Sequence, residues 1–144
     1  MTSRNTDIVS DYLTANRLMT LGTSYEDRPW SATVFFAYAK NLNLYFYSSE
    51  KTKHCINIKK NPNVSVVINN DWRDKNGKIK GLQAIGKASR VSDKDYDKHY
   101  AIYHSRFKWS DEFQSDHRLY KIKLAEIWYI NENLFGHFHR LKMR

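Results

Sequence analysis

Short runs of aromatic and β-branched residues, each closed by a turn, recur about six times along this chain. That pattern constrains the fold more than any other feature. The runs are Met19 to Ser24, Trp30 to Tyr38, Leu44 to Tyr47, Val64 to Ile68, Ile79 to Val91 and Arg118 to Ile130. Residues of these types suit a pleated, half-buried surface. Glu26-Asp27-Arg28-Pro29, Lys40-Asn41-Leu42-Asn43 and Asn131-Glu132-Asn133 supply turn chemistry between them. Short connections between consecutive strands predict an antiparallel meander. An open sheet of this length would leave aggregation-prone edges, so closure into a barrel is expected.

Three helices interrupt the strands. Thr6 is expected to cap the first, with Ile8, Val9, Tyr12 and Leu13 at helical spacing. Thr52 caps the second, which turns Cys55, Ile56 and Lys59 inward and stops at Asn61-Pro62. Ser92 caps the third, which runs to about His104 with Asp95 early and Lys98 and His99 late, as the helix dipole favours. Asn70 to Lys78 reads as an exposed hairpin loop, Phe107 to His117 as irregular, and His137 to Arg144 as a basic tail. The expectation is a single domain over residues 1–144, mainly β with short helices (α+β).

Composition narrows the functional classes. The 144 residues, 41% of them hydrophobic, suffice for one core and contain no run of about 18 apolar residues for a membrane helix. Met1 to Ser10 is polar, without the apolar centre of a secretory leader. A single cysteine, Cys55, forms no internal disulfide, which points to a cytoplasmic protein. The net charge of +9 favours anionic partners without choosing among phosphate ligands, nucleic acids and acidic lipids.

Chemistry concentrates between Tyr45 and His54. Here a strand delivers Ser48, Ser49, Lys51, Thr52 and Lys53 onto a helix start. Unpaired N–H groups at a helix N-terminus suit a phosphate, hydroxyls donate to it, and the lysines add charge. The same residues also describe a capped surface helix with solvated lysines.

An ordered series of segments decides between these readings. Thr20-Leu21-Gly22-Thr23 ends a strand and Arg28-Pro29-Trp30 opens an aromatic strand through Phe35-Phe36. Leu44-Tyr45-Phe46-Tyr47-Ser48, Lys51-Thr52-Lys53-His54, Asn61-Pro62-Asn63-Val64-Ser65 and Gly81-Leu82-Gln83-Ala84-Ile85-Gly86-Lys87-Ala88 follow. The series resembles the pyridoxamine 5′-phosphate oxidase-like superfamily of FMN-binding split barrels. Glu50 to His54 and Tyr120 to Phe135 are similar to an uncharacterised small bacterial subgroup of it. The resemblance implies a six-stranded antiparallel split β-barrel and a homodimer with FMN at the subunit interface. Trp30, Ser31, Ala32 and Thr33, largely through backbone groups of Ser31 to Phe35, would lie along the flavin ring. Tyr47, Ser48 and Ser49, with Lys51, Thr52 and Lys53, would hold the ribityl chain and phosphate, and Gln83 would reach the flavin from the fifth strand. The full oxidases carry an arginine and a lysine where this chain reads Ser31-Ala32-Thr33-Val34-Phe35-Phe36-Ala37, and a longer C-terminal part. Oxidation of pyridoxamine phosphate is therefore not expected. The resemblance implies a flavin-dependent oxidoreductase acting on a small molecule, with no catalytic side chain assigned, or a non-catalytic flavin carrier.

Other constellations are weaker. His137 and His139, one residue apart, would share one face of a strand and so suit a metal or haem iron. Some split-barrel relatives handle haem, so a haem-binding protein is an alternative. No metal site is assigned. Asp71, Asp74 and Asn76 lack the order of a calcium loop. Cys55 is expected to be a buried, inert thiol. Trp30, Phe35, Tyr45 and Tyr47 beside Lys51, Lys53, Lys59 and Lys60 could form a base-stacking platform. With no RNA-recognition motif, a nucleic-acid partner is disfavoured.

Overall fold

A sheet that begins and ends on the same stretch of polypeptide organises this protein. The computed structural model describes residues 1–70 and 77–144. The chain runs α1 (Ser3–Ala15), β1 (Leu18–Tyr25), β2 (Arg28–Phe35), β3 (Ala37–Tyr38), β4 (Leu44–Ser49), α2 (Lys53–Lys60), β5 (Asn63–Asn69) and β6 (Lys80–Arg90). It continues through α3 (Tyr96–Arg106), a 3₁₀ segment (Lys108–Phe113), β7 (His117–Asn131), α4 (Glu132–Phe135) and β8 (Arg140–Lys142). Neighbouring strands follow the order β2-β1-β5-β6-β7-β4-β3, with β8 added alongside β7. Every pairing is antiparallel. Since only Phe36 separates β2 from β3, one strand leaves one end of the sheet and joins the other, which curls the sheet into a split barrel.

Two cores result from the alternation of side chains along these strands. The main one lies within the curl, where Leu21, Phe36, Phe46, Ile68, Leu82 and Ile122 are fully buried. Val9 and Leu13 of α1 and Cys55 and Ile58 of α2 complete it. The second core lies under α3, where Tyr100, Tyr103 and Phe107 pack on Tyr45, Tyr47 and Leu119. β4 is consequently covered on both faces, as its continuous apolar and aromatic run suits.

Several expectations need correction. Eight strands are present among the described residues where six were expected. The long second run breaks at Phe36, and Arg140–Lys142, expected as tail, pairs with Trp128 to Ile130. The cap of α1 is Thr2, whose Oγ1 accepts from the Asn5 N–H at 3.1 Å. Thr6 sits inside the first turn and donates to the Thr2 carbonyl at 3.0 Å. In α2 the inward residues are His54, Cys55, Asn57 and Ile58, while Ile56 and Lys59 are exposed. Polar His54 and Asn57 are tolerated inside because Ser48 and Thr23 hydrogen-bond them. Asp95, not Ser92, precedes α3, and the Ser92 hydroxyl donates to the Asp95 carboxylate at 3.2 Å. The segment expected to be irregular holds a 3₁₀ helix. His137 and His139 lie in the turn before β8, not on a strand. Most of the expected hairpin loop from Asn70 to Lys78, with Asp71, Asp74 and Asn76, falls outside the described residues.

The break at Phe36 is pinned by one arginine. The Arg106 Nη2 donates to the carbonyls of Leu13 and Thr14, both at 3.1 Å, and to that of Asn16. Its Nη1 donates to the Phe36 carbonyl at 3.3 Å. These bonds gather the carbonyls at the end of α1, among them that of Leu13, which also accepts the Asn16 N–H at 3.4 Å. The guanidinium also lies 5.2 Å from the centre of the Phe36 ring. Arg106→Met should keep the aliphatic bulk and lose these bonds, destabilising the protein by about 2–3 kcal/mol. Urea denaturation measures this, and a loss below about 0.5 kcal/mol would contradict the role.

Candidate functional site

β2 is the strand best placed to meet a ligand. Within this chain's described sheet it pairs only with β1, so the N–H and C=O groups along its other edge have no strand partner. Its residues from Arg28 to Thr33 are all exposed or half-buried. Ser31 pairs with Gly22, Gly22 with Ser65, and Ser65 with Ile85, placing these four residues in one outward row. Thr33, Thr20, Val67, Gln83 and Trp128 form the next row on the same face. A cleft of about 560 Å³ opens over the first row, lined by Gly22, Ser65, Gly86, Trp30, Ser31 and Lys87 among others. Gly22 leaves room there: a Cβ at this position would lie 2.2 Å from the Ser65 Oγ.

Trp30 and Ala32 alternate to the opposite side, across from buried Thr23 and Leu21. Trp30 still remains 44% exposed, because it lies near the start of its strand, at the barrel rim where α2 crosses. There the Lys53 Nζ sits 4.4 Å from the centre of the indole. That cation–π contact holds the ammonium at the first turn of α2. Thr52 caps the helix. Its hydroxyl donates to the Ser49 carbonyl at 2.8 Å and accepts from the Cys55 N–H at 3.4 Å. The Lys51 N–H donates to the Ser49 Oγ at 3.3 Å, and the Lys51 side chain is exposed.

The residues expected to form the site therefore fall into two groups. Trp30, Ser48, Ser49, Lys51, Thr52 and Lys53 gather at the rim around the start of α2. Ser31, Thr33 and Gln83 share the outward face. The groups meet at Trp30 and Ser31, which both line the cleft. Gln83 is three strand spacings from Thr33, roughly 14 Å, so only an extended ligand spans both. The Gln83 Oε1 accepts from the Arg140 Nε of β8 at 3.1 Å. Tyr47 is committed elsewhere: its phenol is buried in the second core, 3.2 Å from the Tyr96 hydroxyl. Burial raises its pKa strongly. Tyr47 has only backbone groups to offer at the rim.

Sequence reasoning missed the supports of this turn. The His54 Nε2 lies 2.9 Å from the Ser48 Oγ and 3.3 Å from the Thr52 Oγ1. Glu50 is held by Arg90 at 2.5 Å and Arg118 at 3.4 Å. The partners of Glu50 lie 40 or more positions away in sequence, on β6 and β7, so no local pattern announces them. Cys55 is buried and burial raises its thiol pKa, as an inert thiol requires. Among the described residues, no cluster of three or more metal-ligating side chains occurs.

Comparison with known proteins gives the family. The sequence pattern described as pyridoxamine 5′-phosphate oxidase matches residues 6–131. The chain belongs to that family. Among solved structures, a protein of unknown function from Agrobacterium tumefaciens is similar with a TM-score of 0.78 and 18% identity, over 90% of this chain and 57% of that one. A heme binding protein from Mycobacterium smegmatis gives 0.82 and 14%, over 99% of this chain and 58% of that one. A FAD-binding protein from Mesorhizobium loti gives 0.69 and 20%, over 83% and 87%. The chain thus spans less than two thirds of the first two. No curated protein matches. At these identities the structures establish the shared split-barrel fold, and the family pattern covers β1 to β7. No described helix is long and apolar enough to cross a membrane.

Burial lowers the pKa of His54 below the ordinary value of 6.5 and keeps the imidazole neutral. As pH falls through about 6.5, the unfolded chain binds a proton that folded His54 resists. Stability therefore falls toward acid, and His99, also lowered by burial, adds the same sign. His54→Gln removes one of these groups. Its unfolding free energy should decline less steeply than that of the wild type between pH 7 and pH 5 (roughly the window set by the histidine pKa). Identical slopes in urea titrations would contradict the assignment.

Proposed function

We propose that this family member binds FMN as a homodimer and serves as a flavin-dependent oxidoreductase. The observation that carries this reading is the Lys53 ammonium seated over Trp30 at the first turn of α2, beside the cleft on β2. The donor set fits the ligand. Lys51, Lys53 and the free N–H groups of an eight-residue helix suit a phosphate. The unpaired edge of β2 offers alternating backbone donors and acceptors from Ser31 to Phe35 to a flat heteroaromatic ring. Ser31, Thr33 and, at the far side, Gln83 offer polar side chains along the same face. A cation at the start of α2 takes the place of those absent from Ser31 to Ala37. The likeness to a FAD-binding protein supports a flavin as ligand.

A second copy of the chain supplies the missing wall. Leu18, Phe35 and Ile85 are large apolar residues left exposed on and beside the outward face. An exposed apolar surface of this kind favours self-association around a two-fold axis. A bound flavin would supply hydride transfer. The chain's own part is to orient the ring along β2, to neutralise the phosphate at α2 and, as a dimer, to exclude water from the cleft. The substrate is then a small molecule stacked on the open ring face.

One observation favours haem as a second reading. The His137 Nδ1 lies 2.6 Å from the buried Glu132 carboxylate, which also accepts from the N–H groups of Ile79 at 2.9 Å and Phe138 at 3.3 Å. A carboxylate behind one ring nitrogen of a largely exposed imidazole is how iron- and zinc-ligating histidines are oriented. The likeness to a heme binding protein points the same way.

Gel filtration after incubation with FMN, with light scattering and absorbance on the peak, separates the readings. Flavin bands should elute with a species of twice the chain mass. Lys53→Ala should weaken FMN binding by roughly 1.5–3 kcal/mol, about tenfold or more in Kd. An unchanged Kd removes Lys53 from the site. A Soret band on adding haem that is lost in His137→Ala, with no flavin retained, would select the second reading.

A further inference from the structure

We infer that His54 is a positioning residue for the ligand's phosphate: one imidazole nitrogen ties the end of β4 to the start of α2 and so sets the turn that meets the anion. This inference rests on the flavin reading above.

The tie is buried and specific. His54 is 8% exposed, its ring packs 5.9 Å from that of Phe46, and its Nε2 reaches both the Ser48 Oγ and the Thr52 Oγ1. Hydrogen counting fixes the direction of these bonds. The single Thr52 hydroxyl hydrogen goes to the Ser49 carbonyl at 2.8 Å, so Thr52 Oγ1 can only accept from His54. The imidazole hydrogen therefore sits on Nε2, which donates toward both hydroxyl oxygens. Ser48 Oγ accepts it, and the Ser48 hydroxyl hydrogen remains uncommitted. A hydroxyl whose hydrogen is free is a donor in reserve for an anion, and it would be spent if the tautomer were reversed.

The turn is clamped from its other side as well. Glu50 is drawn to Arg90 and Arg118, which neutralises the one carboxylate between Ser48 and Lys53. With the Ser48 and Thr52 oxygens tied to His54 and Glu50 tied to β6 and β7, Lys51 and Lys53 are the cations left to project. A histidine that merely filled space would need no polar partner and would be replaceable by an apolar ring of like size.

The test compares FMN with riboflavin, which lacks the phosphate. Wild type, His54→Phe and His54→Gln are titrated with both, and folding is checked by circular dichroism and Tm. Phe fills the site without a donor, whereas the Gln amide nitrogen stands near the place of Nε2. The inference predicts an FMN Kd about tenfold higher in His54→Phe, with riboflavin unchanged. His54→Gln should stay near the wild type. Ser48→Ala removes the other end of the tie and should show the same selective loss, which keeps the test decisive should His54→Phe not fold. A wild-type FMN Kd in His54→Phe and Ser48→Ala overturns the inference. Equal losses for FMN and riboflavin overturn it too, because they mean general packing. A wild type that binds neither ligand overturns the flavin reading itself and this inference with it.

Discussion

The strand break at Phe36 is the constraint on which the rest of the structure depends. β2 pairs with β1 and β3 with β4, so this one residue carries the chain between the two ends of the sheet. Phe36 is fully buried, its N–H donates to the Arg17 carbonyl at 3.0 Å, and its carbonyl accepts from Arg106. A buried backbone that leaves its ladder needs such partners. The guanidinium that bonds the Phe36 carbonyl also caps α1, so the first helix, the barrel seam and α3 are held at one point.

Closing the sheet in this way decides where a ligand can lie. Once β2 crosses from one end to the other, its first six residues keep a free edge and two accessible faces. α2 covers the barrel mouth next to it, packing against β1, β2 and β6 and adding Cys55 and Ile58 to the main core. Covering the mouth brings the start of α2 to Trp30, and so places a cation and free N–H groups beside the unpaired edge. The bulge in β7 opposite Ile85 and Gly86 follows from the same curvature. A Cβ on Gly86 would lie 2.3 Å from the Lys123 carbonyl oxygen, so this glycine allows β6 and β7 to approach where the cleft is lined.

Much of this was legible in the sequence. The six apolar runs became the strands of the barrel, because their residue types and turns agree with the global fold. Thr52 was readable as a cap because its chemistry is local. What depends on distant partners was not readable. Phe36 looks like any aromatic residue of its run, and only the closed sheet reveals the break. His54 and Asn57 look like helix-surface polar residues and Glu50 like a loop residue, and their roles follow from Ser48, Thr23, Arg90 and Arg118. Ile56 and Lys59 face outward, against the helical pattern, because a short helix lying across a barrel mouth buries polar residues that the strands satisfy. Arg140–Lys142 carries too little apolar pattern to announce an edge strand, and pairing with the exposed side of β7 creates it. At the site, the sequence named the rim residues and the outward row together, and only the alternation along β2 separates Trp30 from Ser31.

The account's central claim is that a phosphate-bearing flavin lies between β2 and the start of α2. Backbone amide NMR of the labelled protein, titrated with FMN, tests it most directly. The account predicts saturable shifts centred on residues 30–33 and 51–53, with the tail at residues 137–139 unmoved. Shifts confined to the tail, or none at saturating FMN, would contradict it.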